Sequence, residues 1–166
     1  IGFGDGYGEP WPLWGNCMNR QERRAKGVKG KKGDSVIVGE AIEIARNLTR
    51  KRLYDDARNL YLKILKFSPE NEIALLDLGI AAIRDNKLDE AEALLNQTLR
   101  INPRQCASLV VLADIRMARF DLDGAVRLME KALTLNPSPE VLNRLGVLFT
   151  HAGQLDRGRA YLEKAI

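Results

Sequence analysis

The sequence predicts an all-α protein, built as a solenoid of antiparallel helix pairs. Three prolines recur at a constant interval, as Pro69, Pro103 and Pro137. Small residues recur in the same phase, at two fixed positions before each proline. The first small position holds Ala45, Gly79 and Ala113, and the second holds Ala57, Ala91 and Ala125. Two small positions in each repeat predict two closely packed helices per unit.

Each unit is predicted to contain a helix, a short polar turn and a second helix. In the second unit, Leu75, Leu78 and Ala82 have helical spacing, and residues 84 to 87 supply the turn. Asp follows the first apolar residue of each second helix, where it can cap free backbone N–H groups or oppose the helix dipole. These aspartates are Asp55, Asp89, Asp123 and Asp156. Each proline then ends a second helix, because it has no N–H and disfavours helical geometry in the preceding residue.

The repeat defines an array from residue 38 to residue 166. Its units are residues 38–71, 72–105, 106–138 and 139–166, and the fourth has lost one residue, because Gly146 comes one position early after Ala113. The fourth unit has no closing proline and no polar capping helix, which solenoids usually have. We therefore expect that the sequence is a fragment. The uncapped end could also join another copy of the chain.

A helical hairpin of about 34 residues with these small positions and a closing proline resembles the tetratricopeptide repeat. The family's tryptophan in the first helix is replaced by apolar residues, namely Ala41, Leu75, Leu109 and Leu142. The aromatic residue of the second helix survives only as Tyr61. The resemblance implies a right-handed superhelix, whose concave groove is lined by the first helices and holds peptides or helices.

The groove positions implied by this resemblance carry an aliphatic stripe and several charges. They are Ile42, Arg46, Arg50, Leu76, Ile80, Ile83, Arg84, Val110, Asp114, Met117, Asn143 and Val147. Arg46, Arg50 and Arg84 are expected to give one end of the groove a positive rim. The alternative is that the aliphatic residues only pack against neighbouring helices, with Ile80 and Ile83 the better candidates for exposure. Ile42 and Arg46 replace the Lys and Asn with which some relatives clamp a terminal carboxylate, so that activity is not expected.

Residues 1–37 differ in composition from the array. They contain most of the glycines, both tryptophans and a basic run from Arg20 to Lys32 with a local charge of +6. We expect this tail to be disordered, and Met18 to be the true start of a bacterial protein. The alternatives are a tail that docks on the array, or a basic run that binds nucleic acid or anionic lipid. The run has no aromatic residue to stack on bases, so the sequence does not favour nucleic acid.

The sequence offers no catalytic or metal site. His151 is the only histidine, and it is expected to oppose the dipole at the end of a helix. Cys106 lies in an apolar stretch and is expected to pack there, while two cysteines give no disulfide framework and suggest a reducing cytoplasm. No stretch is apolar enough to insert into a membrane. No cofactor is expected.

We therefore predict a non-catalytic adaptor that binds a protein or peptide. The alternative is a substrate-recruiting arm, followed beyond residue 166 by a methyltransferase, glycosyltransferase or sulfotransferase domain.

Overall fold

The computed structural model describes the backbone of residues 32–166, with side chains from residue 37. This part of the chain contains eight helices and no strand. The helices are α1 (Lys32–Arg50), α2 (Tyr54–Phe67), α3 (Glu72–Arg84), α4 (Leu88–Ile101), α5 (Cys106–Ala118), α6 (Leu122–Leu135), α7 (Pro139–His151) and α8 (Leu155–Lys164). Helix α1 begins at Lys32, before residue 38, where the repeat phase starts. The predictions for residues 1–31 lie outside the described residues.

The helices pack as four consecutive hairpins. Helices α1, α3, α5 and α7 are the first helices of the units, and each packs along the second helix that follows it. Each second helix also contacts the first helix of the next unit, in the pairs α2 with α3, α4 with α5 and α6 with α7. The predicted all-α repeat solenoid is confirmed, since every unit is packed mainly against its neighbours.

The small residues of the repeat allow the two helices of a hairpin to approach closely. A Cβ atom added to Gly146 would lie 2.5 Å from Cγ of Leu162 on α8. At the equivalent Gly79, it would lie 3.1 Å from Cγ of Leu95 on α4. The small residues at this repeat position therefore allow a first helix to pack closely on its own second helix, as the sequence predicted.

The turn inside each hairpin contains one residue in the left-handed region. These residues are Arg52 (φ 63°), Asn86 (φ 58°), Phe120 (φ 62°) and Gly153 (φ 75°). They occupy the same position in each repeat unit. Each of them follows the first helix of its hairpin and reverses the chain direction toward the second helix. In the second unit, the N–H of Lys87 donates to the carbonyl of Ala82 at 2.8 Å, which satisfies a helix carbonyl that would otherwise lack a partner.

Helix starts are stabilised in two ways. The side chains of Asn71, Asp121 and Ser138 cap α3, α6 and α7 by accepting a hydrogen bond from a backbone N–H three residues on. The four repeated aspartates after the first apolar residue lie instead in the first turn of each second helix. Of the two roles expected for them, they therefore oppose the helix dipole and are not the capping residues.

The apolar core runs along the solenoid axis. One cluster surrounds Tyr61 between α1, α2 and α3, and a second surrounds Leu95 between α3, α4 and α5. The third joins the last two units around Phe149, whose ring stacks on Tyr161 with centroids 5.3 Å apart. Helix α5, one of the two inner first helices, buries nine of its 13 residues. Its position between neighbours on both sides explains why its sequence is almost uniformly apolar.

Candidate functional site

The first helices form one continuous layer, which we call the first-helix surface. Three contacts connect neighbouring first helices along it. Arg46 on α1 pairs with Asp77 on α3, and Asp114 on α5 pairs with Arg144 on α7. Between these two ion pairs, α3 contacts α5 directly, through an apolar cluster that includes Ile80 and Val111. This surface therefore has an apolar middle and a paired charge on each side.

The ion pair between units 1 and 2 belongs to a partly buried network. Nε of Arg46 donates to Oδ2 of Asp77 at 3.2 Å, and Glu43 lies 3.5 Å from the same guanidinium. The hydroxyl of Tyr61 also hydrogen-bonds Asp77, which joins α2 to the network. Burial raises the pKa of the Asp77 carboxyl, although Arg46 opposes the shift. Burial also raises the pKa of the Tyr61 hydroxyl above its ordinary value, so this group stays protonated at neutral pH and serves as a hydrogen-bond donor.

The ion pair between units 3 and 4 has the opposite polarity. Nη1 of Arg144 lies 2.9 Å and 3.1 Å from the two carboxylate oxygens of Asp114. Glu140 lies 3.7 Å from Nε of the same arginine. Burial raises the pKa of the Asp114 carboxyl, and Arg144 opposes that shift. Here the acid comes from the earlier unit and the base from the later one.

The apolar middle of the surface is only partly covered. Ile80, Ile83 and Met117 are half-buried and pack against the core clusters with one side. Val147 on α7 is more open, with 41% of its surface exposed. These four side chains are the predicted groove residues of apolar type that remain accessible to solvent.

Several of the predicted groove residues do not lie at the surface. The exposed fraction is 5% for Ile42, 5% for Leu76 and 2% for Val110. These three side chains therefore pack between helices, which was the alternative interpretation of the aliphatic stripe. Arg46 does not add to a positive rim, because it is paired with Asp77 and Glu43.

The remaining predicted residues are accessible. Arg50, Arg84 and Asn143 are exposed, and the guanidinium of Arg84 lies 3.7 Å from the ring centroid of Tyr54. Asp114 is half-buried in its ion pair. The expected aliphatic stripe is thus reduced to Ile80, Ile83, Met117 and Val147, and the expected basic rim to Arg50 and Arg84.

Sequence reasoning missed two residues of this surface, Asp77 and Arg144. Both occupy the position three residues before the groove position that holds Ile80 and Val147. A signal was present: in units 2 and 4 this otherwise apolar helix face carries a charge, with an opposite charge at the groove position of the preceding unit. Comparing the charges between successive units would have found both pairs.

Cys106 and His151, the two residues with the most reactive side chains in the array, occupy positions that indicate structural roles. Cys106 is buried at the start of α5, with its Sγ 3.7 Å from the carbonyl oxygen of Ala132. His151 is exposed in the last turn of α7, where a positive charge would oppose the helix dipole. Within the described residues, no group of three or more His, Cys, Asp or Glu side chains could hold a metal ion. No helix in that part of the chain is long and apolar enough to cross a bilayer.

Comparisons with known proteins agree with this geometry. Two models of the tetratricopeptide repeat match the sequence, one over residues 48–111 and the other over residues 110–166. A search of the curated proteins finds no match.

Solved structures share the fold at low sequence identity. A crystal structure of MamA is 22% identical, with a TM-score of 0.64 over 74% of this chain and 72% of that chain. The protein pilF of Pseudomonas aeruginosa is 17% identical, with a TM-score of 0.74, and covers 81% of this chain, which spans 62% of its length. MamA of Desulfovibrio magneticus RS-1, from position 41 to its end, is 17% identical, with a TM-score of 0.67 over 77% of this chain and 73% of that chain. At these identities the likeness establishes the fold alone.

Proposed function

The chain belongs to the tetratricopeptide repeat family through residues 48–166, and from this premise we propose that it is a non-catalytic scaffold that binds a linear segment of a partner protein. Repeats of this family are protein-interaction scaffolds. In our proposal the segment lies on the first-helix surface, as an extended strand or a helix. Its apolar side chains contact Ile80, Ile83 and Met117, and at least one acidic residue lies near Arg50 and Arg84.

The observation that carries this proposal is the half-open apolar middle of the first-helix surface. Ile80, Ile83 and Met117 come from two adjacent units and already have one side in the core. A partner side chain seated on them removes apolar area from water, which stabilises a complex by about 25 cal/mol for each Å². The flanking ion pairs are satisfied within the chain, so the adjoining polar groups do not require the partner for their hydrogen bonds.

Charge also favours a partner with an acidic residue. Arg50 and Arg84 occupy the same repeat position in units 1 and 2, and both side chains are exposed. The Arg84 guanidinium rests on the Tyr54 ring, which holds it in place without neutralising its charge. A carboxylate placed there gains a charge-assisted hydrogen bond.

The test begins with a random library of peptides of about 12 residues, a length that spans two or three first helices. The peptides selected on the wild-type protein are then measured by fluorescence anisotropy against Ile80→Asp and Arg84→Glu. We expect each variant to weaken binding by about tenfold or more, the size of a strong interface residue. Asn96→Asp, an exposed change on α4 outside this surface, is the matched control and is expected to bind like wild type. Unchanged affinity in both variants would exclude the first-helix surface.

A further inference from the structure

The turns inside the four hairpins form a second accessible region, which we call the turn edge. It consists of residues 50–52, 84–86, 118–120 and 151–153, at the carboxyl ends of the four first helices. The turn edge adjoins the first-helix surface, because Ile83 and Met117 lie in the last turns of α3 and α5. A segment bound on the first-helix surface can therefore extend over it.

Phe120 combines an unfavourable backbone conformation with an exposed aromatic ring on this edge. Its backbone has φ 62°, a region in which a bulky L-residue is strained, and 89% of its surface is exposed. Of the equivalent residues, Asn86 and Gly153 tolerate this geometry at little cost, Arg52 shares the strained conformation, and none of the three exposes a ring. Phe120 is also fixed next to the half-buried Met117, since its N–H donates to the Met117 carbonyl at 2.9 Å. The turn requires this backbone conformation in every hairpin, but it does not require an aromatic side chain in solvent, and contact of the ring with a partner accounts for that choice of residue.

Basic residues dominate the other end of the turn edge. Arg50, Lys51 and Arg52 are consecutive and exposed, and Arg84 lies in the next unit. Among the described residues, neither Lys51 nor Arg52 has an ion pair, and Arg50 hydrogen-bonds only the neutral side chain of Asn47.

The acids of the turn edge are engaged elsewhere. Asp85 pairs with Arg58 on α2, and the next residue beyond the edge, Asp121, accepts the N–H of Gly124 as the cap of α6. The charge of the edge in units 1 and 2 is therefore positive, and it is available to a ligand.

We propose that the turn edge binds an acidic segment of a partner protein and fixes the direction in which it lies across the units. The carboxylates of the segment lie over Arg50, Lys51, Arg52 and Arg84, and an apolar side chain farther along it packs on Phe120. This inference rests on the proposed function. It adds the acidic character of the bound segment and the direction in which the segment runs across the units.

The arrangement favours an acidic peptide over a single-stranded nucleic acid. Nucleic-acid surfaces place aromatic side chains among the basic ones, so that bases stack while phosphates are neutralised. On the turn edge, the exposed aromatic residue, Phe120, lies in unit 3, and the basic triplet lies in unit 1; the nearby Tyr54 ring is half-buried and is covered by Arg84. Charge and apolar contact are thus separated along the edge, as an acidic segment with a distant apolar anchor requires.

The decisive variant is Phe120→Asn, measured on the full chain. Asn accepts the left-handed conformation, so we expect the melting temperature to rise by about 2–5 °C. The same change removes the ring, so binding of the peptides selected from the library is expected to weaken by about fivefold or more. Phe67→Asn is the control, because Phe67 is 87% exposed at the end of α2, outside the turn edge, and this change is expected to leave affinity unchanged.

The charge is tested with Lys51→Glu/Arg52→Glu against the matched control Lys63→Glu/Lys66→Glu on the exposed face of α2. Only the first pair is expected to weaken peptide binding, by about tenfold at low salt and less at high salt. The selected peptides are expected to be rich in Asp and Glu at one end.

The outcomes separate this inference from the proposed function. If no peptide binds, or if Ile80→Asp and Arg84→Glu both leave the affinity unchanged, the proposed function fails first. If peptides bind and require Ile80 and Arg84 but bind Lys51→Glu/Arg52→Glu or Phe120→Asn as tightly as wild type, the turn-edge inference is wrong and the proposed function stands. A fluorescein-labelled oligouridine of about 15 nucleotides is measured in parallel. Tighter binding of this probe, lost in Lys51→Glu/Arg52→Glu, would overturn the acidic-peptide assignment.

Discussion

The two outer junctions of the first-helix surface differ from the middle junction at the same two repeat positions. Units 1 and 2 meet there through Arg46 and Asp77, and units 3 and 4 meet through Asp114 and Arg144. Between units 2 and 3, the equivalent positions hold Ile80 and Val111, which belong to one apolar cluster. The repeat thus fixes where neighbouring first helices touch, while the individual residues decide whether the contact is apolar or ionic.

A second set of contacts follows the same rule in a different order. Arg58 of unit 1 pairs with Asp85 of unit 2, and Glu92 of unit 2 pairs with Arg119 of unit 3. At the equivalent positions of units 3 and 4, the residues are uncharged, namely Val126 and Ala152. No two junctions therefore have the same pattern of charges, so each unit is matched electrostatically to its own neighbour.

The largest expected effect is that of a charge placed in the middle junction. Val111→Asp introduces a carboxylate at a fully buried position that faces Ile80, so we expect the free energy of unfolding to fall by at least about 3 kcal/mol. Urea denaturation measures this loss. Val147→Asp is the control on the same surface, where 41% exposure should limit the loss to below about 1 kcal/mol. Equal losses in the two variants would show that the middle junction is not special.

An intermediate effect is expected when the ion pair between units 1 and 2 is replaced by apolar residues like those of the middle junction. Asp77→Val alone removes the acceptor of the Tyr61 hydroxyl and leaves Arg46 with only the more exposed Glu43 as a partner, which should cost about 1–3 kcal/mol. Adding Arg46→Ile removes the cation that has lost its more buried partner, and the double variant should recover part of the loss, because the Tyr61 hydroxyl still lacks its acceptor. A double-mutant cycle in urea measures the coupling. Additive losses would mean that the two positions do not act as a pair.

The smallest expected effect is the pH dependence of the two ionic junctions. The pKa values of Asp77 and Asp114 are raised in the folded protein above the unfolded value of 3.8, chiefly by burial. The folded state therefore binds a proton more readily than the unfolded state at these groups. Their contribution to stability consequently increases as the pH falls through the folded pKa values, and decreases as the pH rises again.

Unfolding free energies of wild type and Asp77→Asn/Asp114→Asn, measured from neutral pH down to about the unfolded pKa of 3.8, test this expectation. Wild type should gain more stability on acidification than the variant. A smaller gain in wild type, or parallel profiles, would contradict the assigned direction of the shifts.

Much of the fold followed from the sequence, because helical hairpins are local. The constant phase of prolines and small residues predicted the hairpins, and α3, α5 and α7 begin at residues 72, 106 and 139, the starts of units 2 to 4. The candidate site was predictable only in part. Ile42, Leu76 and Val110 occupy the same face as Ile80, yet they are buried, because the depth of a residue depends on how closely the neighbouring first helix approaches. That approach cannot be read from a single helix.

The sequence by itself determined the repeat, the order of the helices and the close packing of each hairpin, since these depend on spacing, small residues and turn residues within one unit. Tertiary structure decided which charges meet. Arg46 was expected to be part of a positive rim, but its neighbour across the junction is Asp77, 31 residues along the chain. Tertiary structure also left the Phe120 ring in solvent in a strained turn. The sequence alone did not distinguish Phe120 from the other aromatic residues of the chain. Contacts between units depend on the distance and angle at which hairpins stack, and the composition of a single unit does not contain that information.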